Sequence, residues 1–236
     1  MKFIHFSCAT DQELGTPVPL KNVMPQWYKD AETFFTLKNH EVSLESGTEE
    51  KHPGLKTCAP FLDSLINGYA MLTPFDIYVK KTEDGSLDLK WNAPPGWEEF
   101  VAERPKETGA TIPRPAGHHP NHLVWASHWG IKSPKGYSLI LTHPLNRFDL
   151  PFTTTSGIVD SDKFFGNGNV PFFIKEDFVG VIPKGTPFMQ IIPIKRNSWK
   201  MITSKGMKDQ MYIQGLVARE KETKYKRKLW VRKDFK

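Results

Sequence analysis

From Tyr137 onward, short apolar runs are punctuated by glycine and proline about every 8–12 residues, a spacing that suits strands joined by tight turns. Strands are predicted over 137–142, 156–160, 169–174, 179–182, 187–194 and 210–218, with a further one over 225–231. Such a series predicts an antiparallel barrel or sandwich. The N-terminal half is more mixed. Residues 3–8 suit a strand, and a helix is predicted from Met24 to about Phe35, with Pro25 in the first turn, where a missing N–H costs nothing. Residues 39–54, with Gly47, Pro53 and Gly54, read as loop. A second helix is predicted over Ala59–Gly68, its apolar face formed by Phe61, Leu62, Leu65 and Ile66 and its end closed by Gly68. Tyr69–Lys80 reads as a strand broken at Pro74. A tight turn at Glu83–Ser86 then leads into a partner strand over Leu87–Trp91, because Asp84-Gly85 supplies the positive φ of the reversal. Residues 92–122 are rich in proline and histidine and read as an extended irregular segment.

The chain has 236 residues, of which 39% are hydrophobic, enough for a packed core. No apolar run approaches the roughly 20 residues of a membrane span, and Met1–Ser7 lacks the apolar stretch of a signal peptide. Two cysteines, Cys8 and Cys58, are too few for a disulfide framework and favour a reducing compartment. Four regions are expected within one compact domain: helices and hairpin over 1–92, an irregular segment over 93–135, a strand core over 136–218 and a basic tail over 219–236.

The candidate chemistry lies between Gly136 and Arg196. Pro144-Leu145-Asn146-Arg147 follows a strand, Gly157-Ile158-Val159-Asp160-Ser161-Asp162 spans a strand and turn, and Gly185-Thr186-Pro187-Phe188-Met189-Gln190 opens another strand. This order resembles the core of the dUTPase and dCTP-deaminase family, whose fold is a β-clip. The resemblance covers about a quarter of the chain. It implies that Asp160 would orient an attacking water and that Gln190 would meet phosphate. It also implies a homotrimer with pockets between protomers. Read from the residues alone, Asp160 and Asp162 equally suit a hairpin turn, and Gln190 equally suits a buried backbone partner.

Several family positions hold other residues. Leu145 stands where the resemblance implies a phosphate-binding arginine, and Arg147 is displaced by two positions. Gly68-Tyr69-Ala70 lacks the aspartate expected near magnesium. The glycine-rich C-terminal arm is missing, because residues 215–236 contain only Gly215. No glutamate lies between Pro144 and Phe173 to serve as a deaminase acid. The whole chain also resembles a family of bacterial and phage proteins of unassigned activity, which share the Pro-x-Asn, Gly-Ile-Val-Asp/Glu-x-Asp and Lys-Gly-x-Pro patterns.

A second cluster is His118-His119-Pro120-Asn121-His122, with His128 beyond it. His119, His122 and His128 offer the nitrogens of a zinc or iron site. No carboxylate lies between Glu107 and Asp149 to join them, so histidines in a loop without a metal are the favoured alternative. Trp91, Trp97, Phe100, Trp125 and Trp129 suit core packing, with a groove lining as the alternative.

The formal charge of +6 resides in the tail, since Arg219–Lys236 holds nine Lys/Arg against three Asp/Glu. A solvated last strand, or a docking segment for nucleic acid or another acidic partner, would both use such charge.

Taken together, these features predict a mainly β, dUTPase-like β-clip with N-terminal helices and a hairpin. A non-catalytic, phage-type structural or interaction module is favoured, located in the host cytoplasm or the virion and needing no cofactor. The alternative is a nucleotide or small-molecule site around Asn146, Arg147, Asp160, Asp162 and Gln190, with magnesium or zinc as the candidate ion.

Overall fold

The computed structural model describes residues 2–36, 51–105, 107–108, 113–203, 206–219 and 225–236. In chain order the elements are β1 (His5–Cys8), β2 (Val18–Pro19), α1 (Gln26–Asp30), β3 (Phe34–Thr36), β4 (Lys51–Pro53), α2 (Ala59–Ile66), β5 (Tyr69–Leu72), β6 (Ile77–Lys81), β7 (Leu87–Lys90) and β8 (Val101–Glu103). They continue with β9 (Leu123–Ala126), β10 (Trp129–Lys132), β11 (Tyr137–Thr142), β12 (Phe152–Thr154), β13 (Gly157–Val159), β14 (Asn169–Ile174), β15 (Gly180–Ile182), β16 (Pro187–Lys195) and α3 (Lys208–Arg219). The fold is mainly β, and every strand pair among the described residues is antiparallel.

The chain divides into two compact units, one of residues 1–23 and 68–197, the other of 24–67 and 198–236. The first holds a five-stranded sheet in the order β13-β11-β16-β5-β2 and a four-stranded sheet in the order β12-β14-β9-β8. It also holds the three-stranded β15-β6-β7 and the pair β1-β10. Gly68 is required at the entry to β5. Its φ is +88°, and a Cβ there would sit 2.0 Å from the Ile191 carbonyl oxygen of β16, so no other residue fits without moving the strand. The turn between β6 and β7 is the Asp84-Gly85 reversal, with Gly85 at φ +80°.

Trp125 of β9 stands at the centre of this unit with no solvent exposure. Its ring stacks on Phe172 at 3.7 Å between centroids, and Phe152 and Phe188 approach at 5.1 Å. The indole N–H donates to Thr154 Oγ1 at 3.2 Å, and that hydroxyl donates to the Phe188 carbonyl at 2.6 Å. One residue therefore joins the four-stranded sheet to β16 of the five-stranded sheet, through ring packing and a satisfied polar relay. Trp97, Phe100 and Trp129 are buried in the same core, as their core-packing reading predicted.

The second unit holds α1, the β3-β4 pair, α2 and α3. Pro60 opens α2, whose buried face includes Ala59 and Leu65. Tyr28 of α1 stacks on Phe61 at 6.1 Å.

Several segments depart from the sequence expectation. The helix predicted from Met24 to about Phe35 ends at Asp30, because Phe34–Thr36 pairs with Lys51–Pro53 and the β-favouring run Thr33-Phe34-Phe35-Thr36 is used as a strand. The expected loop over 39–54 therefore closes with a strand, while 37–50 lies outside the described residues. Residues 101–103, expected to be irregular, pair with β9, and the short β9, β10 and β12 were not anticipated.

Residues 210–218, expected to be a strand, are helical within α3. Among the described residues no strand pairs with them, Tyr212 and Leu216 fall at the i,i+4 spacing of a helix face, and Asp209 sits in the first turn, where the helix dipole favours an acid. In the tail, Tyr225–Leu229 forms a π-helical turn closed by Trp230 N–H donating to the Tyr225 carbonyl at 2.9 Å, in place of the expected strand over 225–231.

Replacing Trp125 by alanine is expected to cost about 3–5 kcal/mol, because it opens a cavity between the two sheets and leaves Thr154 without its indole donor. Urea denaturation checks this, and a loss below about 1 kcal/mol would show that the sheets do not depend on this ring.

Candidate functional site

Four segments meet in one polar cluster. Asp160 follows β13, Ser138 lies in β11, Arg196 follows β16, and Gly136 precedes β11. The register of β11 with β13 sets Leu139 opposite Val159, which brings Ser138 beside Asp160. Ser138 Oγ donates to Asp160 Oδ1 at 2.6 Å, and Arg196 Nη1 donates to the same oxygen at 3.1 Å. Arg196 also forks onto Asp162, with Nη1 at 2.8 Å from Oδ1 and Nη2 bonded to Oδ2. Gly136 N–H donates to Asp162 Oδ2 at 2.9 Å. Two strand ends and two turns are thus closed by one guanidinium, in the bidentate geometry that makes arginine–carboxylate pairs strong.

This environment sets the ionisation of both acids. The Arg196 hydrogen bond, followed by the Gly136 N–H, lowers the Asp162 pKa to about 2. The Ser138 hydrogen bond, with the Arg196 charge behind it, holds Asp160 below the usual carboxylate range. A carboxylate stabilised as an anion has a lowered proton affinity. Half of the Asp160 side chain is solvent-exposed, whereas Asp162 is 7% exposed. The turn-forming reading of these aspartates is visible as well, since Lys163 N–H and Phe164 N–H donate to the Asp160 carbonyl at 2.9 and 3.0 Å.

Asn146, Arg147 and Gln190 form a separate group. Gln190 lies in β16 between Thr142 of β11 and Ala70 of β5, with no solvent exposure. Its side-chain oxygen accepts from the Leu145 N–H at 2.8 Å and so holds the turn at Pro144–Arg147. Asn146 has φ +59°, a conformation asparagine tolerates better than most residues. Arg147 is paired in bidentate fashion with Asp149, with Nε 2.9 Å from Oδ1 and Nη2 2.9 Å from Oδ2. Position 70, where the family resemblance implies an acid near magnesium, is a fully buried alanine with no side-chain oxygen.

The histidines are dispersed rather than gathered. His119 Nε2 lies 2.8 Å from the Gly85 carbonyl and ties down the β6–β7 turn. His122 is buried against Phe173 at 5.3 Å, and neither of its ring nitrogens has a hydrogen-bond partner among the described residues. Burial, with the charge of Arg104 behind it, pushes its pKa down, so the ring is kept neutral. His128 stacks on Trp97 at 4.3 Å, with Nδ1 3.0 Å from the Ala126 carbonyl. Among the described residues no group of three or more His, Cys, Asp or Glu is placed to hold a metal ion, and the proposed trio of His119, His122 and His128 is not brought together.

Two members of the polar cluster escaped the sequence reading. Ser138 sits inside an apolar strand, and Arg196 follows one. The only available signal for Arg196 was its place at the end of the strand that begins after Lys184-Gly185.

No family model matches the chain, and no curated protein matches it. Among solved structures, a dUTPase from phage phi11 of S. aureus aligns over 86% of this chain and 97% of its own, at 10% identity and a TM-score of 0.34. Staphylococcus bacteriophage 80alpha dUTPase aligns over 86% and 88% at 10% identity, also with a TM-score of 0.34. EIAV dUTPase aligns over 58% and 84% at 13% identity and a TM-score of 0.30.

The acid cluster has a pH signature. Asp162 has a folded pKa of about 2, against roughly 3.9 in an unfolded chain. Its contribution to stability is therefore complete above about pH 4 and is lost as pH falls through about 2. The melting temperature is expected to fall across that window. In Asp162→Asn the neutral-pH value is lower and the fall is shallower, and a variant with the same profile as the parent would rule out this contribution.

Proposed function

We propose that this chain is a non-catalytic β-clip protein of phage type, a structural or interaction module of the host cytoplasm or the virion. The observation that carries the proposal is the state of Asp160. One oxygen of its carboxylate accepts hydrogen bonds from Ser138 and Arg196, which lowers its proton affinity and makes it a weaker base toward water. Two further features support it. Gln190 is buried on the Leu145 N–H, and the guanidinium of Arg147 is engaged by Asp149, so neither is presented to a phosphate in this state.

A second reading, a nucleotide or small-molecule site around Asn146, Asp160 and Gln190, draws on the positive φ of Asn146. Among the described residues it is the one non-glycine residue with a positive φ, and such outliers gather at ligand sites. One experiment separates the two. With each common dNTP and magnesium present, no turnover and no thermal stabilisation are expected. Turnover at ordinary enzyme rates would refute the proposal, and a shift with one nucleotide and no turnover would establish the second reading.

We further propose that the chain assembles with itself, as a trimer. Exposed apolar side chains on the first unit support this, with Phe148 79% and Ile158 68% exposed, because such surface favours a partner. Light scattering is expected to give three times the 27.0 kDa chain mass, and a monomer mass at micromolar concentration would remove the proposal. No described helix is long and apolar enough to cross a membrane. A nucleic-acid role for the tail gains no support, since Trp230 donates to Asp63 Oδ2 at 2.9 Å and Lys233 pairs with the same carboxylate.

A further inference from the structure

The first unit contains an apolar cavity of about 220 Å³ between β10, β11, β14 and β16. Its lining includes Trp129, Ile131, Leu139, Val170 and Met189, all buried. Phe164 and Asn169 also line it and are themselves exposed, so they mark where the cavity meets solvent. Phe164 is 62% exposed, so its ring is accessible at the mouth.

Three wall residues, Ser127, Ser161 and Asn169, break the apolar pattern, and Ser161 is distinct among them. Ser161 is 2% exposed, and its hydroxyl has no hydrogen-bond partner among the described residues. A buried hydroxyl left unpaired costs free energy, and native structures rarely leave one so. Its position follows from the polar cluster. Val159 and Ser161, two residues apart, both line the cavity, while Asp160 and Asp162 are turned to Arg196. Arg196 thereby fixes the backbone that sets Ser161 in the wall.

We propose that this cavity is a binding site for a small aromatic molecule carrying a single hydrogen-bonding group, which supplies the partner that Ser161 lacks. Size and chemistry agree. An apolar cavity of roughly 150 Å³ takes up benzene, and this one is larger and holds a polar handle. Trp129 and Phe164 offer ring faces and edges, and the Met189 thioether is a favourable neighbour for an aromatic ring. No charged side chain lines the cavity, so an ionised or phosphorylated ligand would be left uncompensated inside it. The site is therefore distinct in ligand class from any nucleotide-phosphate site at Asn146 and Asp160.

The test uses the full chain with phenol, and with toluene as a ring without the hydroxyl. Binding is followed by chemical shifts of the protein and by calorimetry. Phenol is expected to bind saturably and more tightly than toluene. Ser161→Ala is expected to weaken phenol by about fivefold, the worth of one neutral hydrogen bond, and to leave toluene unchanged. The same variant, which deletes an unpaired hydroxyl, should melt no lower than the parent. Val170→Phe, which fills the cavity, should abolish both.

Absence of saturable phenol binding would overturn the proposal, as would phenol affinity unaltered by Ser161→Ala or binding retained in a folded Val170→Phe. Should Val170→Phe fail to fold, the Ser161→Ala comparison of phenol with toluene decides alone.

Discussion

The first unit depends on a constraint at Trp125. Two sheets must be held face to face, and each brings backbone polar groups that a purely apolar contact would leave without partners. Trp125 meets both demands, because its ring stacks on Phe172 while its N–H starts a relay through Thr154 to the Phe188 carbonyl. The ring supplies the large apolar burial, and the relay ties β12 to the Phe188 carbonyl of β16. Together with its pairing to β11 and β5, that contact holds the strand that carries Gln190 and leads to Arg196.

Polar groups elsewhere in this unit do the same kind of work. Gln190 holds the turn after β11, His119 holds the turn after β6, and Arg196 holds the ends of β11 and β13. In each case a side chain that could have served chemistry satisfies a backbone or carboxylate neighbour. Electrostatics follow from that use. A paired carboxylate is stabilised as an anion and an engaged guanidinium has fewer donors left for a phosphate, so the contacts that build the cluster also set the charge state of its acids. The residue in this region left with an unmet hydrogen bond is Ser161, and it faces a space of a different chemical kind.

Much of the strand order was legible beforehand. Alternation and glycine–proline punctuation located β11, β13, β14, β15 and β16 to within a residue or two, and Asp84-Gly85 marked its turn. The same rules failed at Tyr212 and Leu216, which fit a strand and a helix equally well until a pairing partner is sought. Very short strands such as β8 and β12 carry too few residues to show a period, and they exist because β9 and β14 lie alongside them. At the candidate site, spacing singled out Asp160, Asp162 and Gln190, but not their partners. Arg196 lies 34 residues from Asp162, and nothing local distinguishes it from the other basic residues.

By itself, then, the sequence determined the mainly β character, the positions of most turns and the residues worth watching, because those follow from periods and backbone preferences that act over a few neighbours. Only the tertiary structure decided what the watched residues touch. It turned the stretch from Gly136 to Arg196 into a clamp, scattered the histidines among separate supports, and formed an apolar cavity with Ser161 in its wall. Those outcomes rest on side chains brought together from distant strands, and in this chain burial and pairing decide whether a carboxylate, an amide or a hydroxyl is structural support or chemistry.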